Sequence, residues 1–416
     1  MKQLLSLCLS PLALLSMSSL SAQFNPDSLF HIEVQGNDTD PLIILDGLKK
    51  NQVFYNPSGP SQNTLLLHLV GTIDNPNSTI LYPSAVANRG FHCINLAYRN
   101  ATSAQSACGA VPDTNCHLNF RKEIIEGVNY SSETNVNSSN SIENRLLKLL
   151  QYLHANYPLQ NWGQFYNGET LLWEKMMVSG HSQGGGHAAV IGMTHALQRV
   201  IMFASPNDYI DTLKMVAPWS KQAHITADSN FFSFNALYDE VSDFGVQYAH
   251  SQSLGQATFG DSVLVDQSSF PYEHSRQLYT KQEVQSGNPL LFTHDIVVRD
   301  AETPVDGSGK PEFKCAWLYM LGLKCDSELS SPEIAGIRDF KVYPNPFQDV
   351  LSVSSVKGST NCQLRLLDLC GNILVQKEMS PNKRMDLPTA EIKPGCYLLQ
   401  MVQGNQILLT RKVIKL

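Results

Sequence analysis

Residues 175–190 read Lys-Met-Met-Val-Ser-Gly-His-Ser-Gln-Gly-Gly-Gly-His-Ala-Ala-Val. The apolar run Lys175–Ser179 predicts a short buried strand, and the small-residue run Gly184–Ala196 predicts a helix. Gly180-His181-Ser182-Gln183-Gly184 between them leaves room only for a sharp turn. A serine at the apex of such a turn projects its hydroxyl beyond the end of the strand. The flanking glycines permit the strained backbone and the close packing that the turn requires. The helix that follows offers unpaired backbone N–H groups and a partial positive charge where an oxyanion would develop. Ser182 is therefore the candidate nucleophile, and the N–H of Gln183 the first candidate oxyanion donor.

Outward from this turn, strand-like and helix-like runs alternate. Thr64–Val70, Gly90–Tyr98, Val200–Ala204 and Phe231–Leu237 predict strands. Asn140–Tyr157 predicts an amphipathic helix, with Ile142, Leu146, Leu149, Leu150 and Leu153 on one face. Asn140 with Glu143 resembles a capping box, and Pro158 marks the stop. Alternation of this kind predicts an α/β fold with a doubly wound, mainly parallel sheet covered on both faces. Residues 99–140, rich in Asn and Ser, are expected to form loops on the rim of a pocket.

From these residues the stretch 40–300 resembles the α/β-hydrolase superfamily. His68-Leu69-Val70-Gly71-Thr72 is similar to the oxyanion loop of that superfamily, and Gly90-Phe91-His92-Cys93-Ile94-Asn95-Leu96 to the strand that follows it. Ser141–Leu150, Gly180–Ala189 and Phe203–Tyr209 resemble a little-characterised branch. The resemblance implies a serine hydrolase with the triad in the order serine, acid, histidine. The acid belongs just past a strand, which points to Asp239 after Phe231–Leu237; Asp243 and Asp208 are the competitors. The general base would be His294, some 55 residues further on, with His274 as runner-up. His181 and His187 are expected to be solvated or satisfied within the core. The second oxyanion donor would come from Gly71 or Thr72. The expected activity is cleavage of carboxylic esters, esterase- or lipase-like, through an acyl-enzyme, with no metal and no cofactor. The competing expectation is a surface binding or adhesion protein on an inactive hydrolase scaffold.

The ends of the chain carry different information. Residues 1–22 combine Lys2, an apolar run Leu4–Leu15 and a small-residue exit, the pattern of a secretory signal peptide; Pro11 and several serines argue against a transmembrane helix. Export permits disulfides among the eight later cysteines. Cys108 with Cys116 and Cys315 with Cys325 are the candidate local pairs, and Cys93 reads as a buried free thiol. Neither CxxC nor HExxH is present, so structural zinc and a metalloprotease centre lack their main signals.

After a polar linker at 325–337, only strand-and-turn patterns follow. Val350–Val356, Gln363–Leu369, Ile373–Glu378, Cys396–Val402 and Gln406–Val413 predict a small β-sandwich, with turns at Gly371–Asn372 and Gly404–Asn405. Residues 338–416 resemble the type A sorting domain of the bacterial type IX secretion system through Val342-Tyr343-Pro344-Asn345-Pro346, Leu367-Asp368-Leu369-Cys370-Gly371, Gly395-Cys396-Tyr397-Leu398-Leu399 and the terminal Arg411–Leu416. That resemblance implies an Ig-like sandwich, the Sec translocon and the type IX machinery as partners, and delivery through the periplasm and outer membrane of a Gram-negative bacterium; a bond between Cys370 and Cys396 is open. Charge divides at the same place: residues 23–337 hold 18 basic and 31 acidic side chains, net −13, and residues 338–416 hold 11 and 6, net +5. The larger part is thus too acidic for a nucleic-acid binder. The expected organisation is a signal peptide at 1–22, a catalytic domain at 23–324, the linker and the sorting domain.

Overall fold

The computed structural model describes residues 29–45, 47–57, 61–284, 291–307, 309–325, 340–345, 347–355, 362–368, 371–380, 384–403 and 406–416. The expected signal peptide and nearly all of the expected linker lie outside the described residues, as do Cys370 and the turn at 404–405. The chain divides into two compact units after Cys325.

The first unit is built on a nine-stranded sheet. Its strands are β1 (Phe30–Val34), β2 (Asn51–Tyr55), β3 (Leu65–Leu69), β4 (His92–Leu96), β5 (Met176–His181), β6 (Arg199–Phe203), β7 (Phe231–Ala236), β8 (Val263–Leu264) and β9 (Gln277–Thr280). They lie in the order β1-β2-β4-β3-β5-β6-β7-β9-β8. Every pairing from β4 to β8 is parallel, while β1 and β2 join one edge antiparallel.

Alternation along the strands assigns each side chain to one of two cores. Leu65, Leu67 and Leu69 of β3 and Met176 and Val178 of β5 enter one core; Leu66 and Met177 enter the other. Among the helices are α1 (Leu81–Ala87), α2 (Ala104–Cys108), α3 (Cys116–Glu126), α4 (Ile142–Asn156), α5 (Gln183–Thr194), α6 (Phe244–Ser253) and α7 (Lys314–Met320). Residues of α3, α4 and α5 fill the first core, and those of α1 and α7 the second. Apolar strands covered on both faces are what burial of a parallel sheet requires.

Two local expectations are corrected. Ser141, not Asn140, caps α4, accepting the N–H of Asn144; the Asn140 side-chain oxygen instead receives Arg145 and the N–H of Ile44. Residues 99–140 are not all loop. They hold α2 and α3, joined by the Cys108–Cys116 disulfide with Cα atoms 5.6 Å apart. Cys315 and Cys325 are also bonded, closing the segment around α7. Cys93 is buried and free, and burial raises its thiol pKa well above the usual range.

Parallel connections run from β3 to β4 on one side and from β5 to β6 on the other, so strand order reverses between β3 and β5. At such a reversal the two following loops diverge and leave a crevice at the carboxyl ends of the strands. The loop after β3 is Val70–Asp74, and the turn after β5 carries Ser182.

The second unit contains β10 (Phe340–Tyr343), β11 (Val350–Ser355), β12 (Cys362–Leu367), β13 (Ile373–Met379), β14 (Arg384–Pro388), β15 (Gly395–Gln403) and β16 (Gln406–Lys415). They form two antiparallel sheets, β10-β11-β14 and β13-β12-β15-β16. Leu351, Val353 and Leu387 from one sheet share a core with Leu364, Leu366, Leu399 and Met401 from the other. Cys396 is free. No helix among the described residues is long and apolar enough to cross a membrane.

Candidate active site

Ser182 sits between β5 and α5 with φ 53° and ψ −119°, a conformation that a residue with a Cβ adopts only when its surroundings impose it. Its N–H donates to the carbonyl of Phe203 on β6, at 2.9 Å, and its own carbonyl accepts from Gly185 in the first turn of α5. The glycines of the turn are sterically required. A Cβ on Gly180 would overlap the backbone of Gly184, and a Cβ on Gly184 would overlap the carbonyl of Leu69. The seryl side chain reaches a cavity of about 1090 Å³, whose walls include Gly71, Thr72, His181, Gln183 and His294.

His294 lies in the three-residue turn Thr293–Asp295. Its Nδ1 donates to Asp239 Oδ2 at 2.6 Å, and the Asp239 side chain is fully buried. The other carboxylate oxygen, Oδ1, accepts the N–H groups of Val241 and Ser242, both at 2.8 Å. Gln247 Nε2 adds a bond to Oδ2. Burial raises the Asp239 pKa, but the hydrogen bond and charge of His294 together with the two backbone donors outweigh it, and the net shift is downward. For His294, burial pulls the pKa down; the hydrogen bond and charge of Asp239, with Asp295 and Glu240 adding, overcome it, and the net shift is upward. His294 Nε2 is buried without a hydrogen-bond partner. It does not bond Ser182 Oγ here, and such contacts commonly tighten only with substrate in place.

The loop facing Ser182 is fixed from behind. Tyr98 Oη donates to the carbonyl of Val70, and Asn100 Nδ2 to those of Gly71 and Asp74. The N–H of Ile73, a residue held at φ 57°, donates back to the Asn100 carbonyl. Gln183 Oε1 accepts both the N–H of Ala104, at the start of α2, and the Thr72 hydroxyl. Gly71, Thr72 and Gln183 thus lie together around Ser182.

Of the residues nominated from sequence, Ser182, Asp239, His294, Gly71, Thr72 and Gln183 converge. The alternatives have other partners, although Asp243 also borders the cavity. Asp208 is fully buried against Arg121 of α3, which donates Nε and Nη2 to its two oxygens; Trp219 Nε1 adds another bond. Burial raises the Asp208 pKa, but the Arg121 charge holds it well below the usual carboxylate range. Asp243 caps α6 by accepting the N–H of Val246. His274 is exposed in a turn at φ 60° and does not line the cavity. His187 is buried in the core and edge-on to Tyr98, but it is not satisfied there, since neither ring nitrogen has a hydrogen-bond partner among the described residues.

His181 differs from expectation, because it forms part of the cavity wall. Its Nε2 lies 3.3 Å from both the His294 carbonyl and Asp295 Oδ1. Burial lowers its pKa, against the opposing charge of Asp295. His181, His294 and Asp295 offer ligand atoms within 4.8 Å of one another, a set able to approach a cation. Asp295 is engaged by His181 and by Arg299, which takes its second oxygen, and His294 Nδ1 is held by Asp239, whereas His294 Nε2 has no partner. Arg121, Asn100 and Glu240 also support the site and carried no motif. Only the adjacency of Glu240 to Asp239 offered a signal for any of them.

Residues 341–416 match the family described as a secretion system C-terminal sorting domain. This domain indicates secretion through the outer membrane of Gram-negative bacteria, and it implies the secretion machinery as a partner. None of the curated proteins matches the chain. Among solved structures, PorZ, an essential surface component of the type IX secretion system of Porphyromonas gingivalis, is 18% identical, with a TM-score of 0.18. That likeness covers 21% of this chain and 12% of PorZ, so the chain spans about an eighth of its length.

Proposed function

We propose that the first unit is an exported serine hydrolase of the α/β-hydrolase type that cleaves carboxylic esters. The observation that carries this reading is the strained Ser182 in one cavity with His294, whose Nδ1 is held by the buried carboxylate of Asp239.

In the proposed reaction Ser182 Oγ attacks the ester carbonyl carbon while His294 Nε2 takes the hydroxyl proton. The imidazolium that forms is stabilised by Asp239, and the Nδ1 hydrogen bond fixes the tautomer that leaves Nε2 free to accept. Charge on the carbonyl oxygen meets the N–H of Gln183 at the start of α5 and a donor from Gly71–Thr72. One such donor contributes about 3–4 kcal/mol to the transition state. Collapse expels the alcohol, which takes the proton from Nε2. Water activated by the same nitrogen then attacks the acyl-enzyme and releases the carboxylic acid.

Among the described residues, Ser103, Gln105, Asn207, Tyr209, Asp211 and Asp243 face the cavity together with the apolar side chains of Ile73, Val241, Val246 and Phe292. A fluorophosphonate probe tests the reading: the wild type should be labelled and Ser182→Ala should not. An unlabelled wild type that also fails to turn over a panel of esters would favour the binding role on an inactive scaffold.

A further inference from the structure

We infer that Glu240 and His181 are positioning residues for the general base, clamping the backbone of His294 from its two ends. The inference rests on the serine hydrolase reading. Thr293–Asp295 is a single turn of three residues, too short to satisfy its own leading N–H groups. Glu240 supplies the missing acceptors: one oxygen takes the N–H of Thr293 at 2.8 Å and the other the N–H of His294 at 3.2 Å. At the other end, His181 Nε2 is 3.3 Å from the carbonyl of His294 and 3.3 Å from the carboxylate of Asp295. Both neighbours are acceptors, so the Nε2 of His181 carries the proton.

Chain connectivity makes this clamp specific. Glu240 is bonded to Asp239, and His181 is bonded to Ser182. The ring of His294 must align with Asp239 on one side and Ser182 on the other. Its main chain is gripped by the immediate neighbour of each, so displacement of either loop carries the base with it. Glu240 does not line the cavity, so its loss should disturb the ring without disturbing substrate contacts.

Misplacing a reacting group by about 1 Å costs up to about 100-fold in rate. Glu240→Ala is therefore expected to lower kcat by about 10- to 100-fold with KM within threefold. Glu240→Gln, which keeps one acceptor and turns an NH2 toward the other donor, should fall between. Glu240 is exposed, and thermal unfolding should stay close to wild type.

The groups facing His294 are Asp239, Asp295, Glu240 and His181, with Arg299 behind Asp295. Removing the Glu240 charge leaves fewer anions to hold the imidazolium, so the acid limb of kcat/KM should move to lower pH in both variants. A role confined to folding would not move that limb. His181→Gln, which retains a donor, should recover most of the kcat lost in His181→Ala.

A wild type that labels and turns over esters, with Glu240→Ala at wild-type kcat or with an unmoved acid limb, overturns the clamp alone. Failure of Gln to outperform Ala at 181 removes the His181 half. A wild type inert to both probe and esters overturns the hydrolase reading and the clamp with it.

Discussion

Replacing Asp239 by asparagine probes the proposed chemistry most sharply, because the structure dictates which way the new amide must turn. Asp239 Oδ1 accepts two backbone N–H groups, from Val241 and Ser242. Those donors cannot reverse, so the asparagine oxygen must remain with them and its NH2 must take the place of Oδ2. There it meets Nδ1 of His294 and Nε2 of Gln247, both of which now donate to Asp239. His294 can avoid a donor–donor contact only by moving its proton to Nε2, the atom that must accept from Ser182. The nucleophile then has no base. Enforcing the wrong tautomer in a serine triad costs about 10³- to 10⁴-fold, equivalent to about 4–5.5 kcal/mol at 1.36 kcal/mol per decade. Asp239 does not line the cavity, so the loss should fall on kcat and leave KM nearly unchanged. Steady-state hydrolysis of a soluble p-nitrophenyl ester, with the rate of fluorophosphonate labelling as a second measure, reads the effect. Activity within tenfold of wild type in a folded Asp239→Asn variant would refute the assigned role of Asp239.

Four further outcomes are expected. The rate should fall on acidification as His294 gains a proton; its raised pKa puts the midpoint of kcat/KM above the ordinary histidine value of about 6.5, and a midpoint below that would contradict the balance of burial against its carboxylates. Asp208→Asn should cost about 3–5 kcal/mol of stability in urea unfolding by leaving Arg121 buried without its anion, while folded protein still labels at Ser182. Cys108→Ser with Cys116→Ser opens a loop of sequence separation 8 and should cost about 2–3 kcal/mol by the chain-entropy estimate, with activity lost as well, because α2 and α3 hold both the side chain and the carbonyl of Gln183. Deleting 338–416 should retain the protein in the periplasm on cell fractionation, and normal outward delivery of the truncation would remove the sorting role of the tail.

How legible each site residue was depended on how local its cause is. Ser182 was plain because strand, glycine turn and helix follow one another within a few residues. Gly71 and Thr72 came from a strand end, and the register Leu69↔Gly180 then places that end beside Ser182. The acid was harder. Asp208 also follows a strand and is buried, and nothing nearby in sequence disqualifies it. Its disqualification comes from Arg121, 87 residues earlier on a helix in a segment that read as loop. The two helices there were obscured because α2 has only five residues and the apolar face of α3 is weak and interrupted by buried His117, Arg121 and Glu123. Those polar residues are paid for by tertiary partners, which no periodicity reveals.

The tail shows the same division. Its longer alternating strands could be read directly, whereas Phe340–Tyr343 and Arg384–Pro388, short and flanked by proline or charge, became strands only through pairing with Val350–Ser355. Alternation, turn glycines and motif order are written along the chain, and they determined a mainly parallel sheet, a serine at its switch point and a separable β-rich export tail. Which carboxylate meets which imidazole is set by distances near 3 Å between residues tens of positions apart. Those distances depend on how loops are held across the sheet, and only the tertiary structure decided that Asp239 bonds His294, that Arg121 occupies Asp208, and that Glu240 and His181 bond the main chain of the turn carrying His294.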